Sequence, residues 1–433
     1  MQNKVRRINR KVLKKYNKVF VAFFIKVIGV ASSLLTSIII SRCFSSSGVG
    51  IYSLSNSIIS ICLILSKFGF DIAIIKYISI DYNKKEYGDL HEKLKTICLI
   101  STVIALTLSL IIAISASALG ELFGKENLGQ LLRIMIWVLV PDTLVGLLAA
   151  TFKAVKRTYT GLIFESVSVN SARCILLILL VIILGNHDIE WVGYTYIIAA
   201  CLMLLIAYAL WKRFTKNWEK NKSEHYSFRP VVKTAYPLLL VNSTNYILNT
   251  TDILMIGYLL PASEVGIYNI ATKITLFSTM LLGAINALLG PRFAVLYKNE
   301  EKEKLSQLVK KASRLMFVGS ITITVLLFVL AKPILSIWGE EFVAGTTVLY
   351  ISLIGQFFVL STGPLATLLM MCGFEKIHRN NTIFCAILNI ILNAILIPKI
   401  GIAGAAVAST ISLAIKNTYC IYAVKKRLGF FCY

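Results

Sequence analysis

The sequence is poor in charged residues, which make up only 15% of its 433 residues. A soluble domain typically contains about 25% charged residues. Hydrophobic residues make up 57% of the chain, and its mean hydropathy is +0.76. This composition excludes an ordinary soluble domain and indicates a membrane protein.

Residues that carry catalytic or metal chemistry are also scarce. The chain contains four histidines, and its nine cysteines form no CxxC pair and have no histidine at metal-ligand spacing. Scattered cysteines in apolar segments are typical of small packing residues. We therefore expect no catalytic residue, no metal site and no cofactor, apart from a proton or Na⁺ that could couple to transport.

Apolar runs long enough to cross a membrane occur twelve times. Crossing about 30 Å of hydrocarbon takes roughly 20 residues. Because backbone groups in lipid must be satisfied within the segment, these runs predict helices rather than strands. The expected fold class is an all-α polytopic membrane protein with about 12 transmembrane helices. The runs lie at 19–41, 48–70, 94–119, 128–150, 161–184, 190–211, 231–260, 264–290, 313–337, 345–371, 381–398 and 402–424.

The net charge of +24 is distributed unevenly along the chain. Twelve spans place both termini on one side, and the loops expected there are rich in Lys and Arg. The loops expected on the other side hold only Arg42, Lys125 and Lys399 as basic residues. This asymmetry follows the positive-inside rule and predicts cytoplasmic termini in a plasma (bacterial inner) membrane. The positive charge is thus assigned to topology and to anionic lipid, not to nucleic acid.

A four-residue sequence is repeated at nearly half the chain length. VGIY occurs at 49–52 and again at 265–268, at the start of the second span of each half. Two six-helix lobes related by pseudo-two-fold symmetry are therefore expected, as in two-lobed transporters. The predicted division is a basic cytoplasmic tail at 1–18, an N-terminal lobe at 19–211, a cytoplasmic linker at 212–230, a C-terminal lobe at 231–424 and a tail at 425–433.

Three segments resemble the Wzx-type polysaccharide flippases, which export O-antigen and capsule repeat units. They are GVGIYSLSNSIISICLILSKFGFDIAIIKYIS, TDILMIGYLLPASEVGIYNIATKI and GFEKIHRNNTIFCAILNIILNAILIPKIGIAGAAVASTISLAI. This family shares a superfamily with MATE-type multidrug extruders and lipid II flippases, so the resemblance implies a MATE-like, V-shaped pair of helix bundles. It also implies alternating-access transfer of an undecaprenyl-diphosphate-linked oligosaccharide to the periplasmic leaflet. The implied protein partners are a polysaccharide polymerase and a chain-length regulator.

Basic residues inside the spans are the candidate contacts for such a diphosphate. Ionisable groups in a membrane are expensive and mark functional positions. The candidates are Arg173, Lys273, Lys26 and Lys416. Arg173 is the preferred one, because a guanidinium can hold a phosphate through two hydrogen bonds. The alternative for Lys26 and Lys416 is that their ammonium groups extend to the inner headgroups.

Two acidic residues inside the spans leave further alternatives open. Asp252 is expected at the same depth as Lys273, so these residues form either a structural ion pair or a substrate contact. Asp142 follows Pro141, which is expected to kink its helix. It either pairs with Arg173 or binds a coupling proton or Na⁺.

Lys67 and Asp71 stand four residues apart in one predicted span. Side chains at this spacing lie on the same face of a continuous helix. We therefore expect a solvated ion pair near the cytoplasmic end of the span.

The charge pattern and motifs of the sequence bear on two alternatives to a flippase. An enzyme of polysaccharide assembly would need polar catalytic groups at the water interface, and the chain has no DxD motif and no long outer loop. A MATE-type multidrug or cation antiporter would share the fold. We expect such an antiporter to line its cavity with acids, whereas the charges in these spans are mainly basic.

Overall fold

A computed structural model of the chain describes residues 2–180, 188–218 and 228–431. These residues are almost entirely helical and include no strand. Eight helical segments among them are long and apolar enough to cross a membrane, and the first of these, Phe24–Lys84, covers most of the first predicted run and all of the second. The prediction of an all-α polytopic membrane protein is therefore confirmed.

Sixteen α-helices follow one another in the described ranges. Three short segments interrupt them: 3₁₀ turns at Ile136–Val138 and Glu340–Gly345, and a π-helix at Phe164–Ser168. The α-helices are α1 Gln2–Lys67, α2 Phe70–Lys84, α3 Tyr87–Leu122, α4 Glu126–Met135, α5 Leu139–Ala154, α6 Thr158–Ile163, α7 Val169–Leu179, α8 Glu190–Thr215, α9 Arg229–Leu259, α10 Ala262–Lys298, α11 Lys302–Val329, α12 Ala331–Ser336, α13 Thr346–Ser361, α14 Leu365–Met371, α15 Glu375–Ile400 and α16 Ile402–Leu428.

The chain packs as two compact units. The first comprises Met1–Cys43, Ile58–Glu121 and Glu126–Ser243. The second comprises Phe44–Ser57, Leu122–Lys125 and Thr244–Tyr433. The lobe boundaries given by the sequence stay a prediction. Part of the linker proposed at 212–230 lies outside the described residues.

The second unit contains both copies of the VGIY repeat, and their glycines meet. A Cβ on Gly50 would lie 1.7 Å from the carbonyl oxygen of Ala262, and one on Gly266 would lie 2.1 Å from that of Ser46. Each carbonyl belongs to the residue four positions before the opposite glycine, so the contact is reciprocal. Such small-xxx-small pairs let helix backbones approach closely in membranes. The repeated glycines are therefore needed at one helix crossing.

A carboxylate fixes the start of the helical turn that leads to this crossing. The long helix α1 is kinked at Ser45, whose φ is 59° and ψ −178°. Glu341 accepts hydrogen bonds from the backbone nitrogen of Ser46 at 2.6 Å and from its hydroxyl at 2.7 Å. A carboxylate at this position satisfies N–H groups that a helix start leaves open and complements the helix dipole.

The span that continues α1 is broken a second time, at Phe68 and Gly69. Their φ angles are 49° and 74°, so α1 ends at Lys67 and α2 begins at Phe70. The i, i+4 relation expected between Lys67 and Asp71 requires one continuous helix. Because the helix is interrupted between them, the expected ion pair is wrong for the described structure, in which no carboxylate lies within 4.0 Å of the Lys67 ammonium.

Candidate functional site

A buried carboxylate stands at the meeting point of four helices of the second unit. Asp252 of α9 is only 7% exposed. Its carboxylate accepts hydrogen bonds from the hydroxyl of Tyr268 at 2.6 Å, the amide nitrogen of Asn393 at 2.6 Å and the hydroxyl of Ser409 at 2.5 Å. These donors come from α10, α15 and α16 and are all uncharged. They orient the carboxylate and bring no positive charge to it.

Two asparagines on one face of α15 extend this polar cluster. Asn389 and Asn393 are one turn apart, and Asn393 donates to the amide oxygen of Asn389 at 3.1 Å. Asn389 in turn donates to Ser409 at 3.0 Å. The Asn393 amide nitrogen thus uses both hydrogens, whereas its buried amide oxygen has no hydrogen-bond partner among the described residues. We call Asp252, Tyr268, Asn389, Asn393 and Ser409 the Asp252 cluster.

The chemistry of the Asp252 cluster suits a small cation. It offers carboxylate, amide and hydroxyl oxygens, which are the ligands that hard cations prefer. Burying a carboxylate that has no charged partner destabilises the folded protein by roughly several kcal/mol unless the charge is neutralised. A proton or a monovalent cation would supply the missing charge, and a cation would also satisfy the Asn393 oxygen. No group of three or more His, Cys, Asp or Glu residues in the described ranges is placed to hold a metal.

The first unit holds a different arrangement around Asp142 and Arg173. Arg173 is 5% exposed, and its guanidinium carbon lies 4.8 Å from the ring centre of Tyr196. The Tyr196 hydroxyl donates to the Asp142 carboxylate at 3.1 Å. A cation above a tyrosine face is held by the ring quadrupole. The structure thus places both residues that the sequence offered as a pair against one tyrosine, Asp142 at its hydroxyl and Arg173 over its ring.

The position of Arg173 follows from an irregular helix just before it. The π-helix Phe164–Ser168 widens one turn, and such bulges are frequent at functional sites. Gly29 of α1 packs against this turn, since a Cβ there would lie 2.2 Å from the carbonyl oxygen of Ser166. One turn further, the hydroxyls of Ser32 and Ser171 are 2.8 Å apart. These contacts fix the start of α7, on which Arg173 is buried within the first unit.

The other three predicted cations are divided between the units. Lys26 lies in the first unit and is exposed, whereas Lys273 and Lys416 lie in the second and are partly buried. Lys416 lies near the side chains of His378, Cys385 and Cys420. The predicted pairing of Lys273 with Asp252 and the predicted contacts of all these cations with a diphosphate stay predictions.

Sequence reasoning missed most of the Asp252 cluster. Tyr268 is the last residue of the second VGIY repeat, and Asn389 and Asn393 stand four apart in the apolar run ILNIILNAIL. Two amides one turn apart in a lipid-spanning helix are a visible signal of a polar face. Ser409 carried no signal, because serines are common throughout these spans.

With this geometry established, comparison with known proteins identifies the family. Residues 16–297 match the family described as polysaccharide biosynthesis protein, and residues 237–395 match the MatE family. The first match spans more than half of the chain. The chain therefore belongs to the polysaccharide biosynthesis protein family.

Curated relatives are distant and only partly covered. The chain is 22% identical to the capsular polysaccharide biosynthesis protein CapF of Staphylococcus aureus, over 55% of this chain and 61% of the relative. It is 25% identical to the probable low-salt glycan biosynthesis flippase Agl15 of Haloferax volcanii, over 53% of this chain and 51% of the relative. The alignments thus span about half to three fifths of these relatives.

Solved structures agree in fold over nearly the whole chain. An inward-facing MATE transporter of the MOP superfamily gives a TM-score of 0.73 at 13% identity, covering 95% of this chain and 98% of that one. The lipid II flippase MurJ gives a TM-score of 0.73 at 17% identity, covering 94% and 87%. Identities this low show the fold alone, which is the MATE-like fold expected from the sequence.

Proposed function

We propose that this protein is a flippase that moves a lipid-linked oligosaccharide across the membrane for surface polysaccharide synthesis. Membership of the polysaccharide biosynthesis protein family over residues 16–297 is the observation that carries the proposal. The MATE-like fold supports a transporter rather than an enzyme, since its named neighbours are a transporter and a flippase. The expected substrate is an undecaprenyl-diphosphate-linked repeat unit of O-antigen or capsule.

Cations within both units support an anionic substrate. A diphosphate carries about two negative charges and must be desolvated when it leaves the headgroup region. Charge-assisted hydrogen bonds from basic side chains offset that cost. We assign this role to Arg173 and Lys26 in the first unit and to Lys273 and Lys416 in the second. The proposed setting is the bacterial inner membrane with both termini in the cytoplasm, where a polymerase and a chain-length regulator would act on the product.

The Asp252 cluster is proposed as the site of the coupling ion. Three neutral donors hold the carboxylate, and the Asn393 oxygen beside it has no partner among the described residues. A proton or Na⁺ bound there would neutralise Asp252. Four helices contribute to the cluster, so their packing would differ between the ion-bound and ion-free states. Such a difference is what couples an ion gradient to a conformational change.

The proposal is tested by complementation in a bacterium that lacks its own polysaccharide flippase. Wild type and Arg173→Ala are expressed across a panel of strains with different repeat units, and surface polysaccharide and membrane level are measured together. We expect wild type to restore polysaccharide in at least one strain and Arg173→Ala to restore less at equal membrane level. Lys26→Ala, on the exposed surface of α1, tests a second cation in the same unit.

A matched control is Arg133→Ala. Arg133 also lies in the first unit, is exposed and donates to the hydroxyl of Ser117 at 2.7 Å. It should behave as wild type. Failure of wild type in every strain, together with extrusion of a cationic dye from intact cells, would overturn the flippase proposal in favour of a multidrug antiporter.

A further inference from the structure

The break between α1 and α2 is built into the packing of the first unit. Gly69 has a φ of 74°, and a Cβ there would lie 2.3 Å from the carbonyl oxygen of Ala235. Helix α9 therefore presses directly on the break, and only glycine fits. Further along α2, the Tyr77 hydroxyl donates to the carbonyl oxygen of Pro230 in the same helix α9 at 3.0 Å. The break is thus a fixed feature of this unit.

This break sends the side chain of Lys67 toward α5. The Lys67 ammonium lies directly over Gly146, 2.8 Å from the point where a Cβ of residue 146 would stand. Beside it, the hydroxyls of Ser66 and Thr143 are 3.0 Å apart and buried, which fixes the two helices at this level. Because Gly146 has no side chain, there is room for the Lys67 ammonium at this point on α5.

The ammonium of Lys67 lies in a polar row along α5. Asp142 is one turn before Gly146, and its carboxylate is already held by the Tyr196 hydroxyl, over whose ring Arg173 lies. Lys67 remains partly exposed, whereas Arg173 is buried. Of the two cations of this row, Lys67 is thus the one that is accessible in the described conformation.

A partly buried ammonium without a carboxylate partner requires an anion or water in a membrane span. An ammonium carries three donors and suits a phosphate oxygen as a point charge. Because Lys67 lies near the expected cytoplasmic end of its span, a phosphate arriving from that leaflet would meet it early.

We propose that Lys67 binds a phosphate of the lipid-linked diphosphate, and that Gly146 is the residue that keeps its ammonium within reach. This inference rests on the proposed function and adds a residue that the sequence assigned to a surface ion pair. It predicts that moving the ammonium will weaken binding even when the charge is kept.

The test is binding of undecaprenyl diphosphate to the purified full chain in zwitterionic nanodiscs, measured by native mass spectrometry. We expect Lys67→Met to weaken binding by about tenfold, the loss of one charge-assisted hydrogen bond. Lys67→Arg should bind within about threefold of wild type, because the charge and its donors remain. Gly146→Ala should weaken binding by about threefold although it raises helix propensity, because its Cβ displaces the ammonium.

Lys76→Met is the matched control. Lys76 lies on α2, is exposed and has its ammonium 5.1 Å from the ring centre of Tyr77. It should bind as wild type. Full binding by Lys67→Met, or equal loss with Lys76→Met, would overturn the role of Lys67. If phosphatidylglycerol competes as well as undecaprenyl diphosphate, the site is a general lipid-phosphate contact and the inference also fails. If wild type binds no undecaprenyl diphosphate, the proposed function itself fails.

Discussion

The two units each hold a carboxylate that accepts a hydrogen bond from a tyrosine, and the surroundings differ. Asp142 accepts from Tyr196 at 3.1 Å, and the guanidinium of Arg173 lies over the same ring. Asp252 accepts from Tyr268 at 2.6 Å and otherwise from neutral amide and hydroxyl groups. One carboxylate therefore shares its tyrosine with a cation, while the hydrogen-bond donors of the other are all neutral.

The different surroundings suit the two carboxylates to different roles. A carboxylate that shares a tyrosine with a cation can help to position that cation for an anionic substrate. A carboxylate among neutral donors can be neutralised by a proton or cation that binds and dissociates during transport, and such exchange is required for coupling. We therefore expect ion dependence to arise from Asp252 in the second unit and not from Asp142 in the first.

The largest effect is expected from Asp252→Asn. If the second unit holds the coupling ion, removing its charge abolishes the dependence of transport on an imposed Na⁺ or H⁺ gradient. Coupling between two sites typically amounts to a 5- to 150-fold effect, so we expect a loss of about that size. Transport is measured in proteoliposomes with and without each gradient. Asp142→Asn should retain the gradient dependence, and an equal loss in both variants would remove the distinction between the units.

The next largest effect is expected from Asn393→Leu, as a decrease in the free energy of unfolding. This change removes donors to Asp252 and to Asn389, so buried acceptors lose their partners. We expect the free energy of unfolding, measured by SDS titration, to fall by about 3 kcal/mol. Asn170→Leu is the control in the first unit, where the amide makes one long hydrogen bond of 3.4 Å to Ser166. Equal losses in the two variants would contradict the prediction.

Removing one hydroxyl from each carboxylate gives a smaller and directly matched comparison. Tyr268→Phe takes a 2.6 Å hydrogen bond from a buried carboxylate and should cost about 2 kcal/mol. Tyr196→Phe takes a 3.1 Å hydrogen bond, keeps the ring beneath Arg173 and should cost about 1 kcal/mol. The same SDS titration measures both. A larger loss of unfolding free energy in Tyr196→Phe than in Tyr268→Phe would contradict the prediction that Asp252 depends more strongly on its tyrosine than Asp142 does.

The smallest effect is expected from Arg173→Lys. An ammonium can still lie over the Tyr196 ring, so the stability loss should stay below about 1 kcal/mol. Transport should fall more than stability does, because a lysine cannot reproduce the two parallel hydrogen bonds of a guanidinium. The two readouts are compared on one protein preparation. A stability loss that accounts for the whole fall in transport would make Arg173 a structural residue.

Much of the fold followed from patterns that are local in the chain. The apolar runs gave helices, including the run 381–398, which lies within Glu375–Ile400. Lengths of helices depend on hydrocarbon thickness and on backbone hydrogen bonds within the segment, and both can be read along the sequence. The VGIY repeat predicted one copy in each of two lobes, and that division stays a prediction, whereas the contact between its two glycines was not foreseen.

The site was only partly predictable, for reasons visible in single residues. Asp252 and Arg173 stood out as charges in apolar runs. The partners of Asp252 could not be found this way, because Asn393 and Ser409 lie 141 and 157 residues further along the chain. The spacing of Lys67 and Asp71 predicts an ion pair only in a continuous helix, and the left-handed backbone at Phe68 and Gly69 breaks that helix.

The sequence by itself thus determined the class of protein, the helices, the family resemblance and the charges inside the spans. These depend on composition and on interactions within a few helical turns. Only the tertiary structure decided which neighbours each charge has: neutral amides and hydroxyls for Asp252, a shared tyrosine for Asp142 and Arg173, and a glycine for Lys67. The physical reason is that desolvation and hydrogen bonding depend on groups brought together from distant helices, which no local pattern records.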